Sequence, residues 1–143
     1  MLAAPCRSET LAYDEAEVLA YAKAIDVAEL DQTLPSRPLA EWLHRGPSHI
    51  EKLQWRISSC DLKPDYPEPP AGYPLCVDFV YQVGDVAGWG IVNVGTTRRG
   101  IVKPPRFERA LVSTRSSDGM RTVSTEKLSD LPRVISKLLS ETK

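Results

Sequence analysis

The amino-acid sequence predicts an α+β fold, a two-layer sandwich in which an antiparallel sheet of four to five strands is covered by an N-terminal and a C-terminal helix. Apolar residues recur at helical spacing near both ends of the chain, and apolar and polar residues alternate with a period of two in the middle. The strands alternate with one apolar and one polar side, so the apolar side needs a cover, which the helices supply. The length of 143 residues suits one domain, residues 1–143.

The N-terminal helix is predicted over residues 14–30, after a flexible lead over residues 1–12. Asp14 begins a capping-box sequence, and apolar residues follow at helical spacing. A second, short helix is predicted from a cap at Ser36 to a stop at Gly46, which a proline follows. The sequence therefore places two helices before the first strand.

The strands are recognised by alternation and by the turn residues between them. The predicted strands are the run Leu53–Ile57, Leu75–Val83, Trp89–Val94, Phe107–Thr114 and Met120–Thr125. The turn after the second strand falls at Gly84-Asp85 or at Gly88, and residues 95–105 are expected to bend and then extend briefly. A closing helix is predicted over 129–141, with Ser129 as its cap.

Three cysteines are present, and two of them flank a Pro-rich surface loop over residues 61–74. If the strands on either side pair antiparallel, Cys60 and Cys76 come near each other. A disulfide there would stabilise the chain by about 3 kcal/mol and would indicate an oxidising compartment. The alternative is that both are small buried hydrophobic residues. We expect a mature, extracytoplasmic protein in which Cys6 is the cysteine outside the bridge. The alternative is a cytoplasmic protein.

The motifs of common enzymes are missing from the sequence. No glycine-rich phosphate-binding loop and no Gly-x-Ser-x-Gly elbow occurs. His44 and His49, the two histidines, lie around the stop of the second helix and are interpreted as structural. No apolar run approaches the roughly 20 residues needed to cross a bilayer. The sequence therefore predicts a non-enzymatic protein without a cofactor, a metal or a transmembrane segment.

Charge is segregated along the chain although the net charge is −1. Residues 9–31 have a net charge of −6, and residues 95–127 have a net charge of +5. Regular alternation would put Arg109 and Arg115 on the same side as Phe107, so the basic residues need not form one patch. The near-neutral total and the lack of interleaved aromatic residues argue against nucleic acid as a partner.

Aromatic and basic residues are the candidates for contact with a protein partner or a small ligand. We select Tyr66, Tyr73, Trp89, Arg98 and Arg99. The two tyrosines lie in the stiff Pro-rich loop, which could dock a partner or pack back on Trp55 or Trp89.

Several stretches resemble small bacterial proteins that are made with signal peptides and have no assigned function. The resemblance rests on Ile25–Leu43, Trp55, Cys60-Asp61 and Tyr73–Val77, about a third of the chain. It implies export, supports the Cys60–Cys76 bridge and implies no activity. The sequence thus predicts an exported, non-enzymatic binding or interaction protein. The alternative is a cytoplasmic inhibitor or immunity-type protein that neutralises a partner enzyme with its acidic helix.

Overall fold

Among the residues that the structure describes, five antiparallel strands form one sheet in the order in which they occur along the chain. The computed structural model describes residues 14–59, 75–97, 100–116 and 119–141. The strands are β1 (Lys52–Ser59), β2 (Leu75–Val83), β3 (Val86–Thr97), β4 (Gly100–Ser116) and β5 (Gly119–Thr125). The α+β prediction is confirmed. The predicted lead over residues 1–12 and the Pro-rich loop over 61–74 lie outside the described residues.

Helices form the second layer and cover one face of this sheet. They are α1 (Glu15–Ala24), α2 (Val27–Leu30), α3 (Leu39–Arg45) and α4 (Leu131–Glu141), with a 3₁₀ turn at Leu128–Asp130 before α4. The core between the layers includes Val18, Leu39, Trp42, Leu43, Val77, Phe79, Tyr81, Val112, Leu131, Ile135 and Leu138. We call the helix-covered side of the sheet the inner face and the opposite side the outer face.

The single N-terminal helix predicted over 14–30 is wrong, because the chain breaks it at Ile25 and Asp26. The carboxylate of Asp26 accepts hydrogen bonds from the backbone N–H groups of Ala28 (3.0 Å) and Arg37 (3.2 Å). It also accepts one from the Ser36 hydroxyl at 2.5 Å. These bonds hold the pKa of Asp26 below its usual value. Asp26 therefore begins a new helix and anchors the connector that follows.

The predicted cap of the second helix is also wrong. Ser36 donates to Asp26, and α3 begins after Pro38, which has no side-chain acceptor for the helix. The predicted stop is confirmed at Gly46. A Cβ on Gly46 would overlap the backbone carbonyl of Trp42, so only glycine fits this close return of the chain.

The closing helix is confirmed, with a different start. The chain first forms the 3₁₀ turn, and the backbone N–H of Ser129 is capped by the side chain of Asp31 at 2.9 Å. Partial burial alone would raise the pKa of Asp31, but hydrogen bonds from Ser129 and Thr33 outweigh it and hold the pKa well below its usual value. One carboxylate thus joins the end of α2 to the start of the closing helix.

The turn between β2 and β3 falls at Gly84-Asp85, the first of the two predicted positions, and Gly84 has φ +57°. Beyond the turn, β3 supplies glycines where β2 supplies aromatic rings. Phe79 pairs with Gly90 and Tyr81 with Gly88. A Cβ on Gly90 would lie 2.6 Å from Cε2 of Phe79. The inner face therefore accommodates two large rings, because the positions of β3 that pair with Phe79 and Tyr81 are glycines.

The hairpin of β3 and β4 is longer than predicted. β3 continues to Thr97, and β4 runs from Gly100 to Ser116, where the sequence indicated a bend and a short strand. The pairing of the two strands shifts register three times between Ile91 and Thr96. Proline has no N–H to donate to the ladder, and Pro104-Pro105 lies in this irregular stretch of β4. The strand is extended but bulged.

Candidate functional site

The outer face carries a small apolar cluster of its own. Cys76 and Ile91 are buried there, and the half-buried Trp89 packs against them. No residue of the described helices belongs to this cluster. Cross-strand pairing brings Val80 and Leu111, both half-buried, to either side of Trp89. An indole flanked by two aliphatic side chains thus forms the centre of the outer face.

A bulge in β4 directs an arginine to this centre. From Ile91 to Val92 the register of β3 advances by one residue, whereas that of β4 moves by two, from Arg109 to Phe107. Glu108 is therefore the extra residue, and Phe107 and Arg109 point to opposite faces. The prediction that Arg109 shares a side with Phe107 is wrong, because it assumed unbroken alternation.

The guanidinium of Arg109 lies over the ring of Trp89. The distance from its Cζ atom to the ring centroid is 5.9 Å, within the range of a cation–π contact worth about 0.5–1 kcal/mol at an exposed site. The side chain of Arg109 also lies 3.8 Å from a carboxylate oxygen of Glu108. The arginine thus lies between a carboxylate and an aromatic ring.

A row of buried polar side chains continues from this centre toward the start of β2. Asn93 is fully buried, and one orientation of its amide gives both atoms a partner. Its nitrogen donates to Oε1 of Glu108 at 3.1 Å, and its oxygen accepts from Nε of Arg106 at 3.2 Å. Because a buried carboxylate is costly without partners, Asn93 and Arg109 allow Glu108 to remain in this row.

A second ion pair crosses the neighbouring strands. Nε of the largely exposed Arg56 on β1 donates to Oδ2 of Asp78 on β2 at 3.2 Å. Asp78 occurs in a strand whose other early residues are apolar and buried. Its neighbour on β3 is Ile91. The outer face therefore combines a central apolar cluster with ion pairs that span the strands.

Cys76 lies at one end of this polar row. It is buried, pairs with Ser58 across the first hairpin, and its Sγ atom is 3.2 Å from the side-chain amide of Asn93. Cys60, its predicted disulfide partner, lies outside the described residues. The same holds for Tyr66, Tyr73, Arg98 and Arg99 among the predicted contact residues.

Trp89 is thus the predicted contact residue that the structure describes, and it lies on the outer face. Sequence reasoning did not select Arg56, Asp78, Asn93 or Arg109. A signal for two of them was available, because Asp78 is the one charged residue in Leu75–Val83 and Asn93 is the one polar residue in the run from Trp89 to Gly95. For Arg109 no such signal existed, since its orientation depends on the bulge.

The described residues contain no group of three histidine, cysteine or acidic side chains that could hold a metal ion. The longest helix in the described ranges has 11 residues, too few and too polar to cross a membrane. His44 places Nδ1 3.0 Å from the backbone carbonyl of Ile50, which is consistent with a structural interpretation.

Comparison with known proteins found no match, neither a family model, nor a curated protein, nor a solved structure.

Proposed function

We propose that this chain is a non-enzymatic binding protein and that it contacts a partner protein through the outer face around Trp89. The observation that supports this proposal most strongly is the half-buried indole of Trp89, which lies between Val80 and Leu111 and has the guanidinium of Arg109 over its ring. Tryptophan and arginine are the residue types most enriched at the energetic centres of protein interfaces. Trp89 packs against Cys76 and Ile91 before a partner arrives, which lowers the entropy cost of binding.

The charges of the outer face favour an acidic partner surface. Basic side chains at its described positions are Lys52, Arg56, Arg106, Arg109 and Arg115, and the acidic ones are Asp78 and Glu108. The acidic groups are engaged by Arg56, Asn93 and Arg109, so the excess charge is positive. Complementary charge accelerates association and selects among partners. With a net charge of −1 for the whole chain and one aromatic residue at this centre, nucleic acid fits less well.

Both carboxylates described on this face are engaged in ion pairs. Oδ2 of Asp78 lies 3.2 Å from Nε of Arg56, and Oε2 of Glu108 lies 3.8 Å from Nε of Arg109. This pairing supports a role in recognition.

We also propose export with a Cys60–Cys76 disulfide. Two features support the bridge: Cys76 pairs with Ser58, and Cys60 follows the last residue of β1 directly. A thiol titration of the unfolded, unreduced protein tests it. We expect one free thiol of three, whereas three free thiols would contradict both the bridge and the argument for export.

A site-specific photo-crosslink tests the proposed surface. Trp89 is replaced by benzoylphenylalanine, which keeps an aromatic side chain, and the protein is irradiated in an extract of the cells that make it. We expect a discrete adduct from position 89 and none from position 23, the site of exposed Lys23 on α1. Adducts of equal yield from both positions, or none from position 89, would exclude the outer face as the contact surface.

The alternative function is an inhibitor or immunity-type protein that uses its acidic helix. Asp14, Glu15 and Glu17 are exposed at the start of α1 and favour it. Asp26 and Asp31, however, bind backbone and hydroxyl groups of the chain itself, so the acidic surface is smaller than the sequence predicts. Charge reversal at Glu15 and Glu17 that abolished partner binding, with Trp89 variants unaffected, would favour this alternative.

A further inference from the structure

Among the described strands, β5 is the last in the sheet order, so one of its sides faces away from β4. It pairs with β4, and no described strand pairs with its other side. In an antiparallel strand, alternate residues direct their N–H and C=O groups away from the neighbouring strand. Such an edge is a template for pairing with an added strand.

A groove of about 530 Å³ runs along this edge, between β5 and α4. Val123 of β5 and Val134 of α4 line it with apolar surface, and Thr125 lies at its end. On the outer side of β5, Met120 is 64% exposed, the one large hydrophobic side chain in the described ranges that is exposed. An incoming strand would therefore find an apolar contact on each of its two faces.

The walls of the groove are positively charged. Arg121, Lys127, Arg133 and Lys137 line it together with the acidic residues Glu126 and Asp130. Arg121 forms an ion pair with Glu141, and Arg133 lies 3.5 Å from Asp130. Within the part of the chain that the structure describes, Lys127 and Lys137 form no ion pair. Both are exposed.

We propose that the groove between β5 and α4 binds an extended acidic segment of a partner protein, which adds a sixth strand to the sheet along β5. Its backbone pairs with β5, its apolar residues contact Val123 and Val134, and its carboxylates reach Lys127 and Lys137. A second copy of this chain fits less well, because two-fold pairing through β5 would bring the cations of both copies together. This surface is separate from the outer face around Trp89.

A synthetic peptide tests the proposal directly. The probe is a fluorescein-labelled nine-residue peptide with two glutamates at each end and the run Val-Thr-Val-Thr-Val between them, so that one face offers valines to the groove while the terminal carboxylates can reach its lysines. Binding to the full chain is followed by fluorescence anisotropy. We expect saturable binding with a Kd below about 1 mM, weakened by salt. We expect no binding of two analogues: one with lysine for every glutamate, and one with N-methyl groups on alternate residues, which blocks strand pairing.

Variants and amide shifts locate the site. The double variant Lys127→Glu, Lys137→Glu should bind at least ten-fold more weakly, and Lys23→Glu on α1 should bind like the unaltered protein. Amide resonances of Gly119–Thr125 should shift when the acidic peptide is added.

Equal binding of the N-methylated peptide, equal binding by the double variant, or shifts centred on Trp89 would overturn the proposal. Dimers that form through β5 in sedimentation experiments would overturn it as well. None of these results affects the crosslink at position 89.

Discussion

Replacement of Asp31 by alanine should destabilise the fold well beyond the effect of losing an exposed helix cap. The carboxylate accepts from the backbone N–H of Ser129 at 2.9 Å, and from the N–H and hydroxyl of Thr33 at 3.0 and 2.7 Å. A hydrogen bond to a charged group contributes about 1.5–3 kcal/mol, and the exposed bonds to Thr33 contribute less. We expect a loss of about 2 kcal/mol, which stems mainly from Ser129, 98 residues away.

Urea denaturation measures this loss. With a slope of about 2 kcal/mol/M, the midpoint should fall by about 1 M. The control is Asp14→Ala, which removes a single bond to the N–H of Ala16 at the exposed start of α1 and should cost about 1 kcal/mol or less. Equal effects of the two substitutions would refute the view that Asp31 ties the helices together.

The pH dependence provides a second test of the same carboxylate. Its pKa in the folded state is depressed, so its contribution is present above the unfolded pKa of about 3.9 and is lost as pH falls. The stability difference between the unaltered protein and Asp31→Asn should therefore be largest near neutral pH and shrink progressively below about pH 4. A difference that stayed constant down to about pH 2 would contradict the assigned ionised state.

Three further predictions concern packing and the polar row. Gly90→Ala should destabilise by about 1–3 kcal/mol, because the new Cβ overlaps the ring of Phe79; calorimetric melting measures the loss, and an unchanged Tm would contradict it. Asn93→Ala should cost about 1–3 kcal/mol in urea titrations, since it leaves Glu108 short of a donor, and a loss no larger than that of the surface variant Ser124→Ala would contradict it. Arg121→Ala should cost at most about 1 kcal/mol, because its ion pair with Glu141 is exposed; a larger loss by the same method would show that the pair is not a surface interaction.

The sequence predicted the sheet well where each strand has a regular apolar side. Strand Leu75–Val83 was predicted with its observed bounds, since its alternation is unbroken and a glycine turn follows. The closing helix was predicted to within two residues, because its apolar stripe is strong. These features depend on residues close together in sequence, so local patterns suffice.

The errors arose where distant residues decide the local structure. The break at Asp26 depends on Ser36 and Arg37, and the start of the closing helix depends on Asp31. The length of β4 depends on bulges that accommodate Pro104-Pro105. Helical periodicity or strand alternation alone contains none of this information.

Sequence reasoning selected one described residue of the candidate site. Trp89 was selected as an aromatic residue near a hairpin, but its position beside Arg109 follows from the one-residue bulge at Glu108. The arrangement of the site is therefore a property of the pairing between β3 and β4. Sequence patterns within either strand do not contain it.

The affinity of the partner for the unaltered chain and for Trp89→Ala tests the central claim most directly. Isothermal titration with the partner captured at position 89 gives both values, and circular dichroism verifies that the variant is folded. If Trp89 is the centre of the interface, its truncation should cost at least 2 kcal/mol, a loss of about 30-fold in affinity. A folded variant that binds within two-fold of the unaltered protein would contradict the assignment of the outer face as the binding surface.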